Sequence, residues 1–186
     1  MAGRAPASRT HAADLSARYA IVAARFNERI SQRLVDGALH AFAAAKIPEE
    51  RVEVHWVPGS FELPQAAHHL AITGRYAGIV CVGVVIRGQT PHFEHVAREA
   101  ASGIRHVALT TGVPTGFGVI TTLDEAQAWA RAGGDVGNRG EEAAAAVIEM
   151  SAFVRSVRVP SVKAKKRVDV PDRRAPEARR RGPDGR

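Results

Sequence analysis

Gly78-Ile79-Val80-Cys81-Val82-Gly83-Val84-Val85-Ile86 is the longest apolar run in the chain. Successive residues of a strand point to opposite faces, so a strand apolar at every position has no face left for water. This run carries several β-branched residues and reads as a central strand covered on both sides, the situation of strands in parallel sheets flanked by helices. Upstream, Tyr19–Ala24 is a second short apolar run and a second buried strand. Between them, Ile30, Leu34, Val35, Ala38, Leu39 and Phe42 recur at helical spacing, which predicts an amphipathic helix ending near Pro48. Arg51–Val57 alternates as a strand and stops at Pro58-Gly59, and a helix over roughly Glu62 to Ile72 accommodates Pro64 in its first turn.

Downstream of Ile86, Arg87-Gly88-Gln89-Thr90 reads as a loop. Pro91 opens the next helix with Thr90 as its N-cap. That helix is expected to run to about Ile104, with His106–Thr110 as the fourth strand and Phe117–Thr121 as a short extended segment. Thr122-Leu123-Asp124-Glu125 has the form of a capping box and starts a helix that ends at Gly133-Gly134. A last helix runs from about Asn138 to Val157 and includes the consecutive alanines Ala143–Ala146. Strands alternating with helices imply an α/β fold. The expectation is a three-layer αβα sandwich, flavodoxin-like, around a mainly parallel four-stranded sheet.

The net charge of +7 is concentrated at one end. Residues 161–186 hold ten Lys and Arg against four acids, with Pro171, Pro176 and Pro183 and almost no large apolar side chain. Such a segment cannot bury enough surface to offset its ordering entropy. The expected organisation is therefore a flexible N-terminal segment over 1–17, a folded domain over 18–158 and a basic, disordered tail over 159–186. Clustered basic residues could bind nucleic acid, but the tail has no interleaved aromatics to stack bases, so nucleic acid is not an expected partner. No apolar run is long enough to span a membrane. Met1–Ala13 has no apolar core and does not read as a secretory signal. The lone Cys81 cannot form an intrachain disulfide or a cysteine metal cluster. Together these features point to the cytoplasm.

In an open parallel sheet, ligands bind outside the carboxyl ends of the strands. Here those ends carry Arg25-Phe26-Asn27, Pro58-Gly59-Ser60-Phe61-Glu62, Val84 to Thr90, and Thr111 to Phe117. Two aromatic residues, a carboxylate and a histidine at a helix start are unusual chemistry for connectors. Free backbone N–H groups at a helix start attract phosphate. Thr90 adds a hydroxyl, and His92 could exchange protons beside a bound phosphate. The same stretch also fits a capped surface helix with an incidental histidine. His92 and His95, with Glu94 and Glu99 nearby, lack a clear third metal ligand, so no metal is expected.

Val84-Val85-Ile86-Arg87-Gly88-Gln89-Thr90-Pro91-His92-Phe93-Glu94 resembles the signature loop of lumazine synthases. Four further stretches resemble the same family in the same order. They are Ala24–Asn27, Val57–Pro64, Phe117–Thr122 continuing to Gln127 and Arg131-Ala132-Gly133, and Gly137–Ala143. The resemblance covers about Tyr19 to Phe153. It implies a cofactor-free condensation of 5-amino-6-(D-ribitylamino)uracil with 3,4-dihydroxy-2-butanone 4-phosphate to 6,7-dimethyl-8-ribityllumazine, the penultimate step of riboflavin biosynthesis.

By the same resemblance, Phe26 stacks on the pyrimidine. Ser60, Phe61 and Glu62 contact the ribityl chain and ring, and backbone groups of Val84, Val85 and Ile86 read the pyrimidine edge. Gln89, Thr90 and Arg131 hold the phosphate, His92 moves protons, and Phe117 closes the pocket. The family site lies between neighbouring subunits of a pentamer, with Phe117 and Arg131 from the adjacent chain. Decamers and sixty-subunit shells are further implied assemblies, and riboflavin synthase is a further implied partner. Arg139 stands where relatives often have lysine, which keeps the cation, and Ser60 where alanine is frequent. The alternatives are a catalytically idle shell of the same fold and a lumazine- or riboflavin-binding module.

Overall fold

A computed structural model describes residues 13–157. The expected basic tail at 159–186 lies outside the described residues, as does most of the expected N-terminal segment. Four parallel strands form the sheet: β1 (Tyr19–Ala24), β2 (Val52–Val57), β3 (Gly78–Ile86) and β4 (Thr115–Thr122), in the order β2-β1-β3-β4. The crossovers are α1 (Glu28–Ala44), α2 (Leu63–Ile72) and α3 (His92–Thr111). After β4 come α4 (Glu125–Arg131), the short hairpin strands β5 (Ala132–Gly134) and β6 (Gly137–Asn138), and α5 (Arg139–Val157).

Strand alternation divides the core into two clusters. Tyr19, Ile21, Ala23, Val80, Val82 and Val84 pack with α1 and α5 residues such as Leu34, Phe42, Ala144 and Val147. Ala20, Val22, Ala24, Ile79, Cys81 and Val85 pack on the other side with Leu63, Ala67, Ile104 and Val107 of α2 and α3. This is the three-layer αβα, flavodoxin-like arrangement read from the sequence, with β1 and β3 buried on both faces.

The fourth strand differs from the expectation. His106–Thr110 is the last part of α3, not a strand, and β4 is the segment Thr115–Thr122 that the sequence suggested only as a short extension. The apolar positions Ala100, Ile104 and Val107 continue at helical spacing and are all buried. The hydroxyls of Thr110 and Thr111 donate to the carbonyls of His106 and Val107, one turn back, at 2.8 and 2.7 Å. That local bonding lets two β-branched residues sit in a helix. The helix stops at Gly112, whose φ of +70° takes the left-handed conformation open to glycine.

Two caps are also placed differently. Thr90 does not cap α3: Pro91 is the cap residue, and no side chain caps the helix among the described residues. At α4 the cap is Asp124, whose carboxylate accepts from the backbone N–H of Gln127 at 2.8 Å, while the Gln127 side chain accepts from the Leu123 N–H. Thr122 instead donates its hydroxyl to the Asp124 carbonyl at 2.9 Å. Residues just before β1 are held to the fold. Asp14 accepts from the N–H and hydroxyl of Ser16 and pairs with Arg155 of α5 at 2.6 Å.

Candidate active site

The carboxyl ends of β1, β2 and β3 and the start of α3 enclose a cleft of about 630 Å³, the size of a small-molecule site. Phe26 and Phe61 line it, with 72% and 59% of their surface exposed. Two large rings held in water beside one cleft are costly unless they meet a ligand or a partner. Each ring is placed by a strand end. After Ala24 the chain leans away from β3: the Arg25 N–H donates to the Val57 carbonyl and the Phe26 N–H to the Pro58 carbonyl. Phe61 sits in the turn between β2 and α2, closed by a bond from the Glu62 N–H to the Gly59 carbonyl at 3.3 Å.

Glu62 occupies the N-cap position of α2, yet its carboxylate makes no capping bond among the described residues. It lies over Gly59, where an added Cβ would come within 3.1 Å of a carboxylate oxygen. Glu62 thus lines the cleft, and its carboxylate has no hydrogen-bond donor among the described residues. Ser60 is 5% exposed and also lines the cleft, and its Oγ finds no hydrogen-bond partner among the described residues. It rests on Gly83 of β3, where a Cβ would stand 2.6 Å from that oxygen.

The β3 wall presents main-chain groups selectively. Ile79 N–H donates to the Pro114 carbonyl and Arg87 N–H to the Thr122 carbonyl, both on the β4 side. Backbone groups alternate sides along a strand. Odd-numbered residues of β3, Val85 among them, are therefore bonded to β4. Val84 and Ile86 face the β1 side, where strand pairing ends at Ala23–Val82. The Val84 carbonyl accepts from Asn27 Nδ2 at 3.3 Å. The Ile86 N–H and C=O have no strand partner among the described residues. They form an adjacent donor and acceptor on the cleft side, with Ile86 itself lining the cleft.

The far end of the cleft is the start of α3. Gly88, Thr90 and His92 line it. The first N–H groups of α3 lack a side-chain cap, and the Thr90 hydroxyl is taken up by no bond within the described residues. That end therefore offers backbone and hydroxyl donors beside an imidazole, suited to an oxyanion. Among the described residues no three His, Cys, Asp or Glu side chains are placed to hold a metal ion together.

Of the site residues read from the sequence, Phe26, Ser60, Phe61, Glu62, Val84, Val85, Ile86, Thr90 and His92 come together on this cleft. Gln89, Phe117 and Arg131 do not line it. Phe117 lies in the edge strand β4 with 45% of its surface exposed. Arg131 closes α4 and donates to the Gln127 carbonyl at 3.0 Å. Gly59, Phe93, His95 and Val96 complete the lining without having been assigned a role. His95 and Val96 had a legible signal: they stand three and four positions after His92, the spacing of one helix face. Asn27 ends one of the stretches that resemble the family, but no role was read for it.

An open parallel sheet whose strand-end loops and one helix start surround a ligand-sized cleft defines the class, a flavodoxin-like α/β protein with its site at the carboxyl edge. The family model of 6,7-dimethyl-8-ribityllumazine synthase matches residues 16–155. The chain belongs to that family, transferases of the riboflavin pathway. No helix among the described residues is long and apolar enough to cross a membrane.

Proposed function

We propose that this chain condenses 5-amino-6-(D-ribitylamino)uracil with 3,4-dihydroxy-2-butanone 4-phosphate, giving 6,7-dimethyl-8-ribityllumazine, inorganic phosphate and water. One observation carries the reading within the family: a single cleft joins an aromatic slot, a free backbone donor–acceptor pair and an uncapped helix start with a histidine.

The pyrimidine lies against Phe26, an offset aromatic contact contributing about 0.5–1.5 kcal/mol beyond area burial. Its lactam edge meets the N–H and C=O of Ile86. The ribityl chain runs toward Ser60, Phe61 and Glu62, and the Glu62 carboxylate accepts from its hydroxyls. The phosphate of the second substrate sits on the start of α3, held by Thr90 and main-chain donors of that loop; Gln89, which does not line the cleft, would reach it only through its backbone N–H. This order puts the pyrimidine's 5-amino group next to the ketone. The amine attacks the carbonyl carbon and water leaves to form the imine; phosphate is then eliminated, and the ribitylamino nitrogen closes the ring on the carbonyl this creates, with loss of a second water. His92 gives and takes protons in these steps. Holding an amine and a ketone in line supplies most of the rate, since effective molarities reach about 10⁵–10⁸ M.

Phe117 and Arg131 enter from a neighbouring protomer of a pentameric ring. Their distance from the cleft in their own chain supports this arrangement, because a head-to-tail ring places one surface of a subunit on a different surface of the next. Arg131 then supplies the phosphate's counter-charge, its planar fork matching the oxyanion.

The test is to incubate the purified chain with both substrates and follow lumazine fluorescence together with phosphate release. The expected result is one phosphate per lumazine, at a rate well above the uncatalysed mixture. A folded protein that leaves the background rate unchanged would overturn the reading.

A further inference from the structure

We propose that Asn27 is a positioning residue for the heterocycle, its side-chain amide replacing a missing strand bond so that the β3 wall keeps its shape where β1 has left it. The inference rests on the reading that the Ile86 backbone reads the pyrimidine edge.

The argument begins with the ladder. With Ala23 opposite Val82, a continued parallel pairing of β1 and β3 would bring the Phe26 N–H to the Val84 carbonyl. Instead the Phe26 N–H donates to Pro58, which swings the Phe26 ring out to the cleft. That turn leaves the Val84 carbonyl without its main-chain donor. Asn27 Nδ2 takes the vacated place at 3.3 Å. A second observation agrees. Asn27 is the N-cap residue of α1, a position where asparagine normally bonds the helix's own N–H groups. Here its side chain makes no capping bond and crosses to β3 instead.

The backbone of Asn27 contributes as well. Its φ of +62° is left-handed, a conformation that asparagine tolerates better than most residues. One residue therefore makes the turn that exposes Phe26 and steadies the carbonyl two positions before Ile86. The stacking ring and the edge-reading groups are fixed relative to each other through it.

Two variants separate this role from plain turn geometry. Asn27→Gly keeps the left-handed backbone accessible and removes the amide. Asn27→Asp keeps the size and shape and sets an acceptor against the Val84 carbonyl. Titration calorimetry with the ribitylaminopyrimidine should show Kd raised roughly five- to tenfold for Asn27→Gly and at least as much for Asn27→Asp, the loss expected for one hydrogen bond. KM for the phosphorylated ketone should stay within about twofold of wild type, since one lost bond is felt only where it acts. Unchanged pyrimidine affinity in both variants would overturn the proposal, and so would equal loss toward both substrates. Absence of lumazine formation by the wild-type chain would instead remove the assigned reaction, while the pyrimidine titration would still decide the role of Asn27.

Discussion

His92 is the first residue of α3, and its imidazole lines the cleft beside the uncapped helix start. General acid–base help from one side chain is worth about 10²–10⁴-fold, well below the contribution of alignment. His92→Ala should accordingly slow turnover within that range and leave measurable lumazine formation. A folded variant no faster than a denatured control would show that alignment contributes less than argued. Ser60 offers a second single-residue test. A methyl at residue 83 would meet Ser60 Oγ at 2.6 Å. Gly83→Ala should therefore cost about 1–3 kcal/mol by overpacking, and Ser60→Ala in the same chain should restore part of it in urea unfolding. Phe26, Glu62 and His92 were legible in the sequence because a large ring, a carboxylate and a histidine stand in strand-end loops and at a helix start, where plain connectors seldom combine them. The burial of Ser60 was not legible, because it depends on β3 passing beneath the loop. The work of Asn27 was hidden for a similar reason: its partner Val84 lies far along the chain.

At the scale of elements, β1, β3 and the apolar face of α1 could be read directly from continuous or periodic apolar runs. The misreading of His106–Thr110 has a definite cause. Five residues with a valine second and a threonine last fit either period, and the deciding contacts are tertiary. The hairpin β5–β6 escaped because its glycines carry no side-chain pattern. Packing between α1 and α5 is set by glycine and asparagine. Asn138 Oδ1 accepts from the N–H groups of Gly140 and Glu141, and its Nδ2 donates to the Arg33 carbonyl at 2.8 Å. A Cβ on Gly140 would stand 2.0 Å from the Leu34 carbonyl oxygen, which is rigid backbone. Gly140→Ala should thus cost at least about 3 kcal/mol, the upper end of overpacking penalties, seen as a fall in melting temperature.

The contact between residue 14 and α5 gives a pH signature. Hydrogen bonds from Ser16, and next the Arg155 guanidinium, hold the Asp14 carboxyl down at about 2 against a usual 3.8. Because the folded value is the lower one, its stabilisation is complete above about pH 4 and fades as pH falls toward 2. The pair is partly solvated, at 32% and 50% side-chain exposure for Asp14 and Arg155. The gain is therefore no more than about 1 kcal/mol. Asp14→Asn should unfold more easily than wild type at pH 6, and the two should converge near pH 2 in denaturant titrations. A constant gap across that window would mean that the carboxylate's charge is not what anchors the segment.

For the whole molecule, the single chain holds only part of the constellation implied by its family. Phe26, Glu62, Thr90 and His92 share one cleft, while Phe117 and Arg131 stand elsewhere on the surface of the fold. Exposed apolar side chains at Leu109, Phe117, Met150 and Phe153 are the kind of surface that oligomers cover. The fold class was readable from the sequence because alternating strand and helix patterns leave few topologies. The proposed division of the site between subunits rests on resemblance, since no local pattern tells a side chain which protomer it serves.

The most direct measurement mixes two defective chains. Glu62→Ala removes a group from the cleft, and Arg131→Ala removes the one proposed to come from next door. Each variant alone should be strongly impaired. Co-assembled in equal amounts, they should regain about a quarter of the wild-type sites, because a site in a head-to-tail ring is intact only where an unaltered cleft meets an unaltered neighbour. Activity in the mixed oligomer no greater than the average of the two separate variants would contradict a cleft completed by the adjacent protomer.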